Sequence, residues 1–263
     1  PLFTMSYIGV NGGLVIGVAD DPGLHSSQNE QDSRNYAIGA KVPMLEPSDS
    51  AECRDYAVMA YDLAEKFDTP VILRLTTRVA QERPREEREL LPYEKNPAKN
   101  VMLPAFAKPK HVKVEERLVA LRNWSETSGI NKIEDNGSKI GVIAAGAVYE
   151  YAKEVLGDTV SYLKLGMVHP LPDALIRELA EKTEEIYVIE ELDPVIENHC
   201  KAMGISVHGK DVFPLCDEFS QSVIARCMGK ELPVSLSVEE QIPVRPPVMC
   251  CGCPHRGVFY VLK

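Results

Sequence analysis

The run Ile140-Gly141-Val142-Ile143-Ala144-Ala145 is apolar throughout and stops at Gly146. A short, uninterrupted apolar run suits a strand buried on both faces, as in a parallel sheet. Gly146 then supplies a tight turn, and behind it Val148, Tyr149, Ala152, Val155 and Leu156 recur at helical spacing. Two further strands are expected downstream, Val160 to Leu165 and Glu185 to Glu190 (EIYVIE). Between them Pro172 is placed to open a helix, where its missing N–H costs nothing, with Leu175, Leu179 and Ala180 on the buried face. Asp193-Pro194 is expected to cap a helix carrying Ile196, Cys200 and Met203. Strand, helix and strand in this order make a parallel sheet the economical solution, so the fold class is α/β.

The first part of the chain repeats the rhythm. Gly13 to Ala19 (GLVIGVA) reads as a strand buried on both faces and ends in the turn cluster Asp20-Asp21-Pro22-Gly23. Pro43 to Leu45 is a second short strand, and Val71 to Thr77 (VILRLTT) a third. Between those two, Asp49 and Glu52 stand at capping-box spacing before a helix striped by Cys53, Tyr56, Ala57, Ala60, Leu63, Ala64 and Phe67. From Gln81 the pattern dissolves into Glu82 to Glu89 (ERPREERE) and a series of prolines, with a surface helix expected over Val114 to Ser128. Two Rossmann-like parallel-sheet units are therefore expected. The divisions read 1–80, a crossover at 81–138, a second α/β unit at 139–242, and a further linker and stub at 243–263.

The composition supports a globular protein and excludes several classes. Hydrophobic residues make up 44% and charged residues 26% of the 263 positions. The formal net charge is −10, the wrong sign for wholesale binding to nucleic acid or an acidic membrane. Apolar runs such as Ile140 to Val148 are too short to cross a bilayer. Seven cysteines in an acidic chain of this size fit a reducing, cytoplasmic setting. The opening at Pro1, with a strand-like phrase already under way, reads as a piece of something longer.

Three polar clusters carry the candidate chemistry. Asp20 to Arg34 is dense in donors, acceptors and charge directly after a buried strand, where parallel sheets place ligands. His25 and Ser26 are adjacent, but no third group tunes them into a triad. Glu190-Glu191-Leu192-Asp193 closes the EIYVIE strand, where Asp193 suffices as a helix cap. Cys250-Cys251-Gly252-Cys253-Pro254-His255-Arg256 reads as half a zinc site, as a redox Cys-x-x-Cys, or as a turn that lets backbone approach a bound cofactor. The last is preferred, because neither a second zinc-ligand pair nor a fourth cluster thiolate stands at suitable spacing.

Val18 to Ala37 (VADDPGLHSSQNEQDSRNYA), Ala40 to Glu52 (AKVPMLEPSDSAE) and Cys250 to Lys263 (CCGCPHRGVFYVLK) together resemble the large subunits of the indolepyruvate:ferredoxin oxidoreductase family. Gly141 to Ile196 resembles the middle domain of the same subunits. The resemblance implies a thiamine-diphosphate enzyme of the 2-oxoacid:ferredoxin oxidoreductase superfamily. Such an enzyme decarboxylates an arylpyruvate oxidatively, passes two electrons through iron–sulfur clusters to ferredoxin, and releases an arylacetyl group on coenzyme A. It further implies that 1–80 is the later part of a pyrimidine-binding domain, that the second unit is like a transketolase C-terminal domain, and that 243–263 begins a diphosphate-binding domain.

By the same resemblance His25, Ser26, Gln28, Gln31, Asp32, Arg34, Gly252, Cys253, His255 and Arg256 lie near cofactor and substrate. Arg34, the cation of its block, is expected to meet the substrate carboxylate. Two positions depart from the family pattern, Cys251 where proline is usual and Gln81 where histidine is usual. The expected cofactors of the whole enzyme are thiamine diphosphate, Mg2+ and 4Fe-4S clusters, with none bound tightly by this stretch and no catalytic set complete within it. The expected partners are a small (beta) subunit, ferredoxin, coenzyme A and an arylpyruvate, in an oligomer. Two other readings stay open: another thiamine-dependent 2-oxoacid oxidoreductase or decarboxylase, and a non-catalytic α/β docking module.

Overall fold

The computed structural model describes residues 1–25, 29–76, 96–231 and 260. They form two four-stranded, mostly parallel sheets with helices on their faces, the α/β class read from the sequence. The first sheet holds β1 (Val15–Asp20), β2 (Met44–Leu45) and β3 (Val71–Thr76) in the order β1-β3-β2, all parallel. Helices α1 (Leu2–Ile8), α2 (Arg34–Ala40) and α3 (Ser50–Phe67) belong to this part of the chain. The second sheet runs β4-β6-β5-β8, formed by β4 (Lys132–Glu134), β5 (Ile140–Ala145), β6 (Ser161–Leu165) and β8 (Glu185–Ile189). In it β5 pairs in parallel with both neighbours, and β4 runs antiparallel to β6.

The two units share a strand. β7 (Met167–His169) follows β6 after Gly166, yet it leaves the second sheet and pairs antiparallel with β2 of the first. Gly166 makes the crossing possible, because a Cβ there would fall onto the Tyr56 hydroxyl and the Ile130 carbonyl. Asn131 fixes the same point, its Oδ1 accepting from the N–H groups of Gly166 (2.9 Å) and Met167 (3.0 Å). The main apolar core crosses the boundary as well. Met44 and Ile72 of the first sheet pack in one cluster with Ile143, Leu163 and Leu165 of the second. Behind the sheets, α3 covers the first, while α5 (Gly146–Leu156) and α8 (Gln221–Cys227) cover the second. Helices α6 (Asp173–Lys182) and α7 (Val195–Ala202) add Ile176, Leu179 and Ile196 to the shared core.

Several local expectations are met. Asp49 caps α3 by accepting from the Glu52 N–H (2.7 Å), and Tyr56, Ala60, Leu63 and Ala64 form its buried face. Glu52 reaches back to Ser48 rather than to Asp49, and its other oxygen pairs with Lys164 of the second sheet (2.6 Å). Other details differ for physical reasons. The opening phrase forms helix α1, not a strand. β1 is only partly buried because, among the described residues, it lies at the sheet edge with β3 on one side. Helix α4 (Pro104–Thr127) begins ten residues ahead of the expected surface helix. Pro104 occupies its first turn, where a proline costs nothing, and Pro109 removes one further N–H near that same end.

Candidate functional site

The carboxyl ends of β1, β2, β5 and β8 converge where the two sheets meet, the place an α/β fold reserves for function. A buried charged seam fills the junction. The first unit supplies Asp20, Asp32, Arg34, Glu46 and Arg74, and the second supplies Glu190 and Glu191. Carboxyl groups outnumber guanidinium groups five to two.

Asp20, the last residue of β1, accepts from the Ser33 N–H (3.0 Å) and hydroxyl (2.6 Å), which anchors the start of α2. Arg74 projects from the middle of β3 and donates through Nε to Asp20 and through Nη1 to Glu46, each at 2.6 Å. Arg34, the first residue of α2, is 2% exposed. Its Nε and Nη2 hold Asp32, and its Nη1 reaches Glu190 Oε2 at 2.6 Å. Nη2 also donates to the carbonyls of Glu191 and Asp193, both at 2.9 Å. Glu190 in turn accepts from the N–H groups of Ile196 (3.0 Å) and Glu197 (2.9 Å), the unpaired donors at the start of α7. Glu190 thus caps this helix. Asp193, expected in that role, instead accepts from the Asn35 side chain at 2.6 Å, while Glu190 already fills the first N–H groups of the helix.

The electrostatics follow from burial and pairing. Burial alone would raise the Asp32 carboxyl, but hydrogen bonds and charge from Arg34 outweigh it and hold the group below its ordinary range. For Arg34 burial works against the charge, and Glu190 and Asp32 overcome it, so the guanidinium is held more firmly protonated than usual. Burial pushes Glu191 up to about 7 despite its bond from the Phe219 N–H (2.7 Å) and the nearby Arg74. Burial lowers Lys210, whose ammonium donates to the Glu190 carbonyl. Glu46 Oε2 and Arg74 Nη2 are buried without a partner among the described residues, and both side chains line a cavity of about 10 Å³, the size of one water.

Gly146 makes room for this arrangement. Its φ is +57°, and a Cβ there would stand 2.5 Å from Glu46 Oε1. Gly146→Ala is expected to cost about 1–3 kcal/mol through backbone strain and displacement of Glu46. Urea unfolding checks this, and a variant as stable as the parent would refute the crowding.

Of the residues expected near a ligand, Asp32 and Arg34 lie in the seam, while Gln31 is exposed. His25 is exposed, with Nε2 3.0 Å from Glu218 Oε2 of the second unit. Glu30 adds a second tie, accepting from the N–H groups of Gly23 (2.7 Å) and Asp217 (3.3 Å). Ser26, Gln28, Gln81, Cys250, Cys251, Gly252, Cys253, His255 and Arg256 lie outside the described residues. The expectation that Arg34 meets a substrate carboxylate finds a guanidinium ringed by protein acceptors instead. Arg74 and Glu46 were not singled out from the sequence. Arg74 carried a usable signal, since a charge inside an apolar strand demands a buried partner. Among the described residues no group of three His, Cys, Asp or Glu side chains is placed to hold a metal ion.

No protein-family model matches the chain. It is 38% identical over 295 aligned residues to the indolepyruvate oxidoreductase subunit IorA of Pyrococcus horikoshii, covering 99% of the chain and 46% of that relative. It is 36% identical to the subunit of the same name from Archaeoglobus fulgidus, covering 100% of the chain and 46% of that relative. The chain therefore spans about half the length of the curated relatives it matches. Among solved structures, a 2-oxoglutarate:ferredoxin oxidoreductase from Magnetococcus marinus superposes with a TM-score of 0.62 at 16% identity, over 87% of this chain and 49% of that one. At that identity the likeness speaks for the fold alone.

Proposed function

We propose, taking as premise the chain's kinship with the IorA subunits of indolepyruvate oxidoreductase, that it works within an oxidoreductase subunit of that type. The observation that carries this reading is 36–39% identity to six such subunits across 97–100% of the chain. The activity proposed for the whole enzyme is thiamine-diphosphate-dependent oxidative decarboxylation of arylpyruvates to arylacetyl-CoA, with electrons leaving through iron–sulfur clusters to ferredoxin. Mg2+, a small partner subunit, an oligomeric assembly and a cytoplasmic setting belong to the same proposal. Among the described residues no helix is long and apolar enough to cross a membrane.

The described residues do not by themselves fit the cofactor. The seam's cations are engaged with protein carboxylates, and no metal-ligand group accompanies them. The role proposed for the seam is support: Asp20 and Arg34 fix the two ends of the polar loop that carries His25, Ser26, Gln28 and Gln31. Gly252, Cys253, His255 and Arg256 are proposed to lie near the same cofactor and substrate. The proposed units of the chain are 1–80, 81–138, 139–242 and 243–263.

The test is the complete subunit expressed with its partner and assayed by viologen reduction. Reduction that requires an arylpyruvate, coenzyme A and thiamine diphosphate together is expected. Reduction supported only by non-aromatic 2-oxoacids would replace the substrate class, and turnover indifferent to thiamine diphosphate would overturn the reading.

A further inference from the structure

A second cavity, of about 130 Å³, opens between α2, α4, the turn from β7 into α6, and α7. It shares no lining residue with the seam, and its interpretation does not depend on the enzyme reading above. Ile38, Val168 and Leu171 give it an apolar wall, and Arg122, His169 and His199 give it a basic one. Asp173 bridges part of the basic wall, taking Arg122 Nη1 at 3.1 Å and His199 Nε2 at 2.7 Å. Glu126, also on α4, already accepts from the Ala174 N–H at 2.9 Å.

Asp173 therefore serves Arg122 and one of the two imidazoles, and polar capacity is left over. Arg122 Nε and His169 Nε2 are buried with no protein partner, two of the few such atoms among the described residues. Burial, then the charges of Arg122 and His199, push His169 down to about 4, so its ring is neutral at physiological pH. Spare nitrogens beside the Arg122 charge match an anion, and a guanidinium matches the planar fork of a carboxylate best. The apolar wall asks for more than an inorganic ion. An apolar cavity of about 150 Å³ admits benzene, so this one has room for a short branched chain or a small ring.

We propose that this cavity binds a small carboxylic acid with an apolar tail, its carboxylate held by Arg122 with His169 and His199 and its tail against Ile38, Val168 and Leu171. The probe is isovalerate, titrated into the 263-residue chain while the histidine ring protons are followed by NMR. Saturation with a dissociation constant on the order of 1 mM is expected, with acetate and inorganic phosphate at least about ten-fold weaker.

Arg122→Met should weaken isovalerate by about ten-fold or more. Ile38→Trp leaves every charge in place and should abolish binding by filling the cavity, at a position 43% exposed and therefore tolerant of bulk. If Arg122→Met fails to fold, Ile38→Trp decides. Phosphate binding as well as isovalerate would reduce the site to an anion patch and overturn the proposal. So would unchanged binding in Ile38→Trp, or no saturable shift up to about 50 mM.

Discussion

Arg34→Met is expected to lower the unfolding free energy of this chain by about 3–5 kcal/mol, measured by urea denaturation near neutral pH. The two side chains are of similar length, so the apolar stem survives and the guanidinium is lost. Asp32 and Glu190 then remain buried with their main cation gone, and the carbonyls of Glu191 and Asp193 each lose a donor. Leaving one partner of a buried pair uncompensated is what makes such substitutions expensive, far beyond the value of an exposed ion pair. Typical domains have only about 5–15 kcal/mol to lose, so the variant sits close to unfolding. The pH dependence should change too. Asp32 is held below its ordinary range, so its contribution is present above the unfolded value of 3.8 and disappears as pH falls through the folded value. In Arg34→Met the lowering that Arg34 supplies is gone, so the acid-side loss that Asp32 contributes should shrink. A loss under about 1 kcal/mol would show that Arg34 is not the tie between the two units.

Glu191→Gln is expected to act in the opposite direction. Burial raises this carboxyl from 4.5 to about 7 in the folded chain. Between those values the folded state holds a proton that the unfolded state has released. Stability contributed by Glu191 therefore falls as pH climbs from 4.5 to 7, and the cost is complete above pH 7. A displacement of that size corresponds to roughly 3 kcal/mol. Glutamine keeps an oxygen for the Phe219 N–H and carries no charge to desolvate. The variant should match the parent at pH 4 and exceed it by up to roughly 3 kcal/mol at pH 8, read as the difference between two urea-unfolding series. Parallel curves across that window would mean that Glu191 is ionised at little cost.

These two glutamates show how far the sequence alone could go. The EIYVIE strand and its acidic end were legible, because an apolar run closed by carboxylates has few other readings. The partner of Glu190 was not, since Arg34 lies 156 positions away in sequence and only the docking of two sheets brings them to 2.6 Å. Asp193 was the natural cap by spacing, yet it is Glu190, the residue after β8, that takes the free N–H groups of α7. For Arg34 the sequence offered a charge inside a polar block, which suits a ligand contact and a buried ion pair equally well. Burial separates those readings, and burial is a property of the assembled chain.

The sequence by itself determined the α/β class, most of the strands and the main helix faces, because apolar periodicity and capping residues act over a few neighbouring positions. Its three motif blocks also determined the family resemblance. Tertiary structure alone decided that β7 crosses to the first sheet, that β1 is an edge among the described residues, and that seven buried side chains from both units form one charged seam. The reason is physical. Strand pairing and buried charge pairing are satisfied between segments far apart in sequence, and no local pattern records which distant partner will relieve an unpaired group.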